Sequence, residues 1–469
     1  MEFDAVIGLE IHVEMKTKSK MFSSGPVTFG QTPNTQVNIF DMGFPGVMPV
    51  VNKQAVINAL RMCNALHMEI DDTIVFERKN YYYSDLPKGY QITQEFRPLG
   101  KNGYLDIGNK TIGIERLHME EDTCKQLHYS DFTLLDYNRA GIPLLEIVSK
   151  HEITNGIEAA KFVEKIRSIA TYLGVSDGKM ERGSIRCDVN ISLKEKGTSK
   201  LGTKVEIKNL NSISNIEKAL DYEIARQSKL LEIGESVKQE TRRFDESKKQ
   251  TVSMRVKQDA VDYKFFTDPN IAPIKLSKEF IVNTIKTSPE LAESKIQRYK
   301  TLGLSEYTSK QLTNDKEISE YFDQGIKLGA NPKLLANWII GDIQSVLNKE
   351  EISITQFKIA PSKMVELLNL IECGKISNAQ AREFFGEILD KDISIEELLN
   401  RNGTLVNDEI VLQKIVNEVL DSNSQSITDY KNGKDKALGY LVGLVMKKTN
   451  GKANPVVVNK LIREELERR

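Results

Sequence analysis

From Ala5 to Val13 every odd residue is apolar, and from residue 10 onward the even positions carry Glu10, His12 and Glu14. A period of two belongs to an extended strand, whose successive side chains point to opposite faces. Glu10, His12 and Glu14 therefore share one face, and Ala5, Ile7, Leu9, Ile11 and Val13 share the other. A chain that opens this way must build a sheet with one face packed and one face polar. A carboxylate, an imidazole and a carboxylate on one rigid face can act as a row of ligands, although an exposed edge strand would carry the same letters.

The same alternation returns twice. In Ile185 to Leu193 the odd positions are apolar, while Arg186, Asp188, Asn190 and Ser192 face the other way. In Thr203 to Lys208, Val205 and Ile207 alternate with Lys204, Glu206 and Lys208. Between such strands, residues 52–68, 153–173 and 214–232 have the 3.6-residue spacing of amphipathic helices. The N-terminal part is thus α+β, with an antiparallel or mixed sheet. Its polar face would be a floor for a highly charged ligand.

The stretch from Arg116 to Glu146 adds carboxylates. Ile112, Ile114, Leu117 and Met119 indicate a half-buried strand that runs into His118, Glu120, Glu121 and Asp122, and Glu146 closes a later apolar run. Carboxylates held close together on a sheet call for a counter-charge, and a hard divalent cation is the usual one. A solvated acidic turn is the plainer alternative. Arg78-Lys79-Asn80-Tyr81-Tyr82-Tyr83 opens a cationic, tyrosine-dense loop suited to phosphate and base or ribose contacts. Arg242, Arg243 and Arg255 could close over a nucleotide laid on the sheet, since arginine grips phosphate bidentately. Neither a G-x-x-x-x-G-K-[ST] loop nor a G-x-G-x-x-G after a strand is present. A nucleotide would then lie on the sheet through a metal and basic side chains. The residues expected to hold it are Arg186, Asp188, Asn190, Lys204, Glu206, Lys208, Arg242, Arg243 and Arg255.

With 469 residues the chain exceeds what one core supports, so two or three domains are expected. A net charge of −1 gives no global basic field, and any nucleic-acid contact must be a local patch. Cys63, Cys124, Cys187 and Cys373 lie far apart and form no disulfide framework or metal knuckle, which fits a reducing cytoplasm. No apolar run approaches the roughly 18 residues of a membrane span, and the N-terminus lacks a signal-peptide pattern. The expectation is a soluble cytoplasmic protein with no membrane partner.

Seven collinear motifs make a resemblance specific. They are Gly8 to His12, Arg78 to Tyr81, Leu117 to Asp122, Asn138 to Ile147, Arg186 to Ser192, Lys208 to Ser212 and Gln239 to Asp245. Together they resemble the B subunit of the glutamyl/aspartyl-tRNA amidotransferases, in order over most of residues 1–275 and again at Gly451 to Pro455. The resemblance implies a cradle domain, a helical domain and a small helical tail that touches tRNA. It implies that misacylated Glu-tRNA(Gln), and often Asp-tRNA(Asn), is activated by ATP to an acyl phosphate that ammonia converts to the amide. It further implies a heterotrimer, in which a glutaminase (the A subunit) supplies the ammonia through a channel and the small C subunit wraps the pair. On the matching motifs it points to Glu10, His12, Lys79, Glu121 and Glu146 as catalytic, with Glu10, His12 and Glu121 around Mg²⁺. Strict alternation from His118 sets Glu120 and Asp122 on its face and Glu121 opposite, and a β-bulge would reconcile the two. Many relatives carry four cysteines for a structural zinc near the Gly-x-Pro-Gly segment. This chain has Ser23, Ser24 and Asn38 to Asp41 there, so no structural zinc is expected and loop 22–49 must be held by packing.

From about Ser277 onward the pattern is almost entirely helical, with candidates at 288–303, 315–327, 332–348, 362–374, 378–389, 394–400, 408–421, 435–448 and 454–468. The expected division is a cradle over 1–290, an all-α helical domain over 291–405 and a helical tail over 406–469. Residues 431–469 hold ten lysines and arginines against four acids, a local charge of +6 that suits an RNA backbone. Lys447, Lys448 and Lys452 are its candidate tRNA contacts. The function expected is the ATP- and Mg²⁺-dependent kinase and amidation step of a tRNA-dependent amidotransferase. The alternatives are a non-catalytic tRNA-binding adaptor and a metal-dependent nuclease.

Overall fold

The computed structural model describes the chain except for residues 1, 257–261, 392, 403–408, 432–435 and 450–452. Its contacts divide into two compact units, Met1–Ala292 and Glu293–Arg469.

The first unit is built on a nine-stranded sheet whose strands are β1 Phe3–Glu14, β2 Glu69–Ile70, β3 Gly100–Asp106, β4 Thr111–Glu121, β5 Pro143–Ser149, β6 Ile185–Glu195, β7 Val205–Lys208, β8 Glu240–Asp245 and β9 Gln250–Val256. Their order across the sheet is β9-β8-β7-β6-β1-β5-β4-β3-β2. All neighbours are antiparallel except β7 and β8, which run parallel, so the sheet is mixed. That exception follows from the connection. Helix α3, Ile213–Glu232, carries the chain from the end of β7 back to the start of β8, and a parallel pair needs such a crossover.

The alternation of the first strand holds. Ile7, Leu9, Ile11 and Val13 are buried in one core with Leu117 and Met119 of β4, Leu145 and Ile147 of β5 and Val189 and Ile191 of β6. Helices α1, Lys53–Ala65, and α2, Gly156–Tyr172, supply Leu60, Cys63, Phe162 and Val163 to the same core, and α3 adds Ile216 and Leu220. Each fully buried aliphatic side chain contributes roughly 1.5–3 kcal/mol, which makes this face the main determinant of which way every strand points. Asn52, Asn155 and Ser212 start the three helices by accepting backbone N–H groups of the first turn.

In the second unit the core stripe Leu335, Trp338, Ile339 and Ile343 is buried as its spacing requires. Helices at Glu306–Thr313 and Ser424–Lys431 of this unit, and at Lys278–Lys286 of the first, have no counterpart among the sequence candidates. All three are short, and segments under about ten residues give too few turns for a period to show. One hydrophobic cluster draws on Tyr299 to Leu398 and another on Leu412 to Leu466. Among the described residues, no helix is long and apolar enough to cross a membrane.

Candidate active site

The antiparallel registers place the polar residues of distant strands in rows. His12 of β1 stands opposite Glu146 of β5 on one side and Arg186 of β6 on the other, and Glu146 in turn stands opposite His118 of β4. Two residues along, Glu10 is opposite Asp188. The result is a compact cluster. His12 Nε2 lies 3.4 Å from Glu146 Oε2, 3.4 Å from Glu120 Oε1 and 3.9 Å from Glu10 Oε1. His118 Nε2 lies 3.4 Å from Glu146 Oε2 and 3.7 Å from Glu120 Oε2. His118, Glu120 and Glu146 are 2, 3 and 8 % exposed, which leaves little water to screen these charges.

The electrostatics follow from that burial. Burial alone would lower the His118 pKa, but the Glu146 charge and hydrogen bonds to Glu120 and Glu146 outweigh it and raise the pKa to about 9. His12 is raised well above its usual value in the same way, against burial, by Glu120 and Glu146. Burial would push Glu120 up, yet hydrogen bonds to the two imidazoles hold it down at about 2. Glu146 is also held well below the carboxylate range. Glu10, at the edge of the cluster, is raised by burial and by the Glu146 charge.

Two overlapping triads, Glu10–His12–Glu146 and His118–Glu120–Glu146, each offer ligand atoms within 4.8 Å of one another. Three carboxylates suit a hard cation such as Mg²⁺, and the imidazoles add nitrogen donors usual for borderline metals. The donor set fits a divalent ion.

Residues 5–282 match the family described as GatB/GatE catalytic domain, and residues 320–466 match the GatB domain. The chain is 47% identical to the B subunits of the aspartyl/glutamyl-tRNA(Asn/Gln) amidotransferases of Staphylococcus aureus strains RF122 / ET3-1 and MRSA252, with all of this chain and all of each relative covered. The chain belongs to the GatB family.

Within this GatB fold the expectation for Glu121 needs correction. The β4–β5 register runs without interruption from Arg116 to Glu121, so no bulge turns Glu121 toward His12. Glu120 occupies the cluster instead. The Glu121 carboxylate accepts from Lys88 Nζ at 2.6 Å and from the Ile92 backbone N–H at 3.0 Å, and burial raises its pKa. His118 and Glu120 are the cluster members the sequence reading did not assign, and the signal for both was the unbroken alternation through 118–120.

Of the expected nucleotide residues, Asp188, Glu206 and Lys208 come together on the floor. Lys208 Nζ bonds Asp188 and lies 3.2 Å from Glu206, and Thr241 Oγ1 donates to Glu206 at 2.8 Å. Asn190 pairs in register with Gly8 and Glu206. Arg243 is exposed and opposite Lys208. Lys204 is exposed just before β7. Arg255 stands opposite Thr241, and its side chain lies outside the described residues. Arg186 is committed to Asp122, at 2.7 Å, beside Glu14, whose pKa burial and the Asp122 charge push up to about 8.

Arg242 is a second correction. It points to the helix side of the sheet, where it lies 3.5 Å from the fully buried Glu223 of α3 and 2.5 Å from Glu240, and it donates to Thr251. Phe244, two residues on, sits in the core and fixes that facing. Arg242 therefore fastens β8 to α3 and does not reach over the floor.

In the tail, Lys447 is exposed, Lys448 pairs with Glu418, and Lys452 lies outside the described residues. Lys79 stands 4.8 Å over the ring of Tyr263.

Proposed function

We propose that this chain is the component that activates the side-chain carboxylate of Glu-tRNA(Gln), Asp-tRNA(Asn) or both with ATP, and then amidates it. It would work in the cytoplasm in a heterotrimer with a glutaminase, the A subunit, and the small C subunit. The observation that carries this reading is the convergence of Glu10, His12, His118, Glu120 and Glu146 from three strands, beside a floor of mixed charge that holds Lys208 and Arg243. An adaptor that only held RNA would have no use for such a cluster.

In the first step a carboxylate oxygen of the aminoacyl group attacks the γ-phosphorus, the bond to the bridging oxygen breaks, and ADP leaves. In the second, the ammonia nitrogen attacks the acyl carbon, phosphate leaves, and the nitrogen loses a proton. Phosphoryl transfer depends on positioning and charge stabilisation more than on covalent help from the protein. Glu10, Glu120 and Glu146, with His12 and His118, would hold Mg²⁺, which supplies positive charge to the phosphates. Lys208, held in place by Asp188 and Glu206, and the exposed Arg243 would face the polyphosphate along the floor. Glu120 and Glu146 keep both imidazoles oriented in a site with little water. Residues 406–469 would grip the tRNA backbone.

The test is ADP formation by the reconstituted complex with and without misacylated tRNA. The expected result is ADP release that depends on tRNA and is lost in Glu146→Gln. Hydrolysis that ignores the tRNA, or survives Glu146→Gln, overturns the reading.

A further inference from the structure

Tyr81, the first ring of the tyrosine-dense segment after Arg78, has no part in the phosphoryl chemistry above, yet it packs into an ordered array. Tyr81, Tyr263, Phe265 and Phe96 form a continuous ladder, with centroids 5.9, 6.0 and 6.2 Å apart and planes at 71°, 69° and 68°. Edge-to-face packing of this kind leaves ring faces available to a further planar group. Phe96 is 63 % exposed, and Tyr263 and Phe265 are half-buried.

Two cations sit on this wall, and they differ. Arg78 is engaged: its guanidinium lies 3.9 Å over Tyr90 and 5.9 Å from Phe266, and its Nε donates to Asp268 at 2.7 Å. Lys79 Nζ stands 4.8 Å over Tyr263 and 6.0 Å over Tyr81, and among the described residues it meets no carboxylate. A half-buried ammonium beside ring faces suits a ligand that is both planar and anionic.

The segments that carry the ladder reach the reactive cluster through neighbouring side chains. At one end the Tyr81 hydroxyl lies 3.5 Å from Gln91 Oε1, Gln91 donates to the Glu121 carbonyl at 2.8 Å, and Thr93 Oγ1 lies 3.3 Å from Glu120 Oε2. At the other, Glu95 precedes Phe96 and lies 3.9 Å from Arg116, which lies 3.8 Å from Glu146 Oε1. The floor of Lys208 and Arg243 belongs to β7 and β8, on the far side of the cluster from β4. The cluster therefore has the floor of Lys208 and Arg243 on one side and the wall of rings with Lys79 on the other.

We infer that the Tyr81–Tyr263–Phe265–Phe96 ladder, with Lys79, is the subsite for the terminal nucleoside of the RNA that carries the reacting aminoacyl group. The inference rests on the function proposed above. Unpaired RNA ends are recognised by stacking bases on aromatic rings and meeting their phosphates with cations. The aminoacyl group is esterified to the last ribose, so that ribose must lie beside the phosphoryl acceptor, and the ladder is the ring surface that borders it. A purine with a phosphate could also come from ATP, but the floor across the cluster already provides for a polyphosphate. The base lies against Phe96, Phe265 and Tyr263, and its 5′-phosphate meets Lys79.

The test uses the reconstituted complex and misacylated tRNA whose terminal adenine is replaced by 2-aminopurine, a fluorescent base quenched on stacking. Quenching on binding is expected without ATP, and Phe265→Leu and Tyr263→Leu should relieve it. In turnover, each variant should raise KM for tRNA roughly tenfold or more, the size of a lost base–aromatic stack. KM for ATP should be unaltered, and Phe265→Tyr should recover most of the loss. Lys79→Gln should raise KM for tRNA and remove about one phosphate, roughly 0.7, from the log-salt slope. It decides the matter alone if the ring variants do not fold. Unchanged quenching with an unchanged KM for tRNA overturns the inference, and so does a rise in KM for ATP alone, which would assign the rings to the nucleotide. The quenching arm needs no catalysis, so failure of the proposed activity would be seen separately, as ADP release indifferent to tRNA.

Discussion

His12 and His118 aim their Nε2 atoms at the same oxygen, Glu146 Oε2, each from 3.4 Å. The two strands that carry them are separated by the strand that carries Glu146, so the shared acceptor exists only because three strands hold one register. Three carboxylates in such a space need positive charge beside them, from protonated imidazoles or from a bound cation.

The facing of Glu120 and Glu121 gives the first prediction. Glu120→Gln should raise the Mg²⁺ concentration needed for ADP formation at least tenfold or abolish the step. Glu121→Gln should leave the Mg²⁺ midpoint unmoved, but it removes the carboxylate from a Lys88 that is almost fully buried. A buried charge deprived of its partner costs about 3 kcal/mol or more, so the thermal midpoint should fall instead. Equal Mg²⁺ midpoints in both variants would refute the assignment.

Loop 22–49 provides the second. Lys20 is fully buried, its pKa lowered by that burial, and it faces Asp41 at 3.4 Å, while Ser23 Oγ donates to Asp41 at 2.8 Å. Phe22 meets Phe76 edge-on at 5.1 Å. This ion pair and packing hold the loop, so Asp41→Ala should cost about 3–5 kcal/mol. A strong chelator should not lower the thermal midpoint beyond the effect of removing Mg²⁺. One zinc per chain by elemental analysis would contradict this account.

In the helical unit, Asp323 lies 2.7 Å from Lys295, 3.0 Å from Arg298 and 3.0 Å from the Tyr299 hydroxyl. Burial pushes its pKa up, but these partners outweigh it and hold the group below its ordinary value of 3.8. A carboxyl lowered on folding contributes stability above its unfolded pKa and loses it as pH falls through the folded one. Denaturant unfolding from pH 6 downward should therefore show a loss of stability below about pH 4. Asp323→Asn should lower stability at neutral pH by about 3 kcal/mol and flatten that acid slope. An unchanged slope would show that other carboxylates set it.

The tail gives the last. Leu412, Val416 and Leu420 share a core with Leu441, Val445 and Ile462, so a clean deletion must start at residue 406. Removing 406–469 should weaken tRNA binding and take several units from the log-salt slope, at roughly 0.7–0.9 for each phosphate contact. Saturating tRNA should restore most of the turnover, since the cluster belongs to the first unit. Lys447→Ala alone should cost little, because a backbone patch is distributed. Turnover that stays absent at saturating tRNA would give the tail a part in the chemistry.

Facing was legible without the structure; adjacency was not. The alternation of Ala5 to Glu14 already set Glu10 and His12 on one face and Ile7, Leu9, Ile11 and Val13 on the other. The same period through 118–120 already aligned His118 with Glu120. Both follow from the pleat of an extended backbone, a local property of each segment. That Glu146 stands between His12 and His118 depends on two strand pairings, one of them across more than a hundred residues, set by packing every apolar face into one core. The facing of Arg242 likewise depends on Phe244 reaching that core and on Glu223 arriving from α3. The parallel β7–β8 pair depends on where α3 returns the chain. Each of these is a long-range contact, stabilised only once distant segments are brought together, and no local pattern in the letters encodes it.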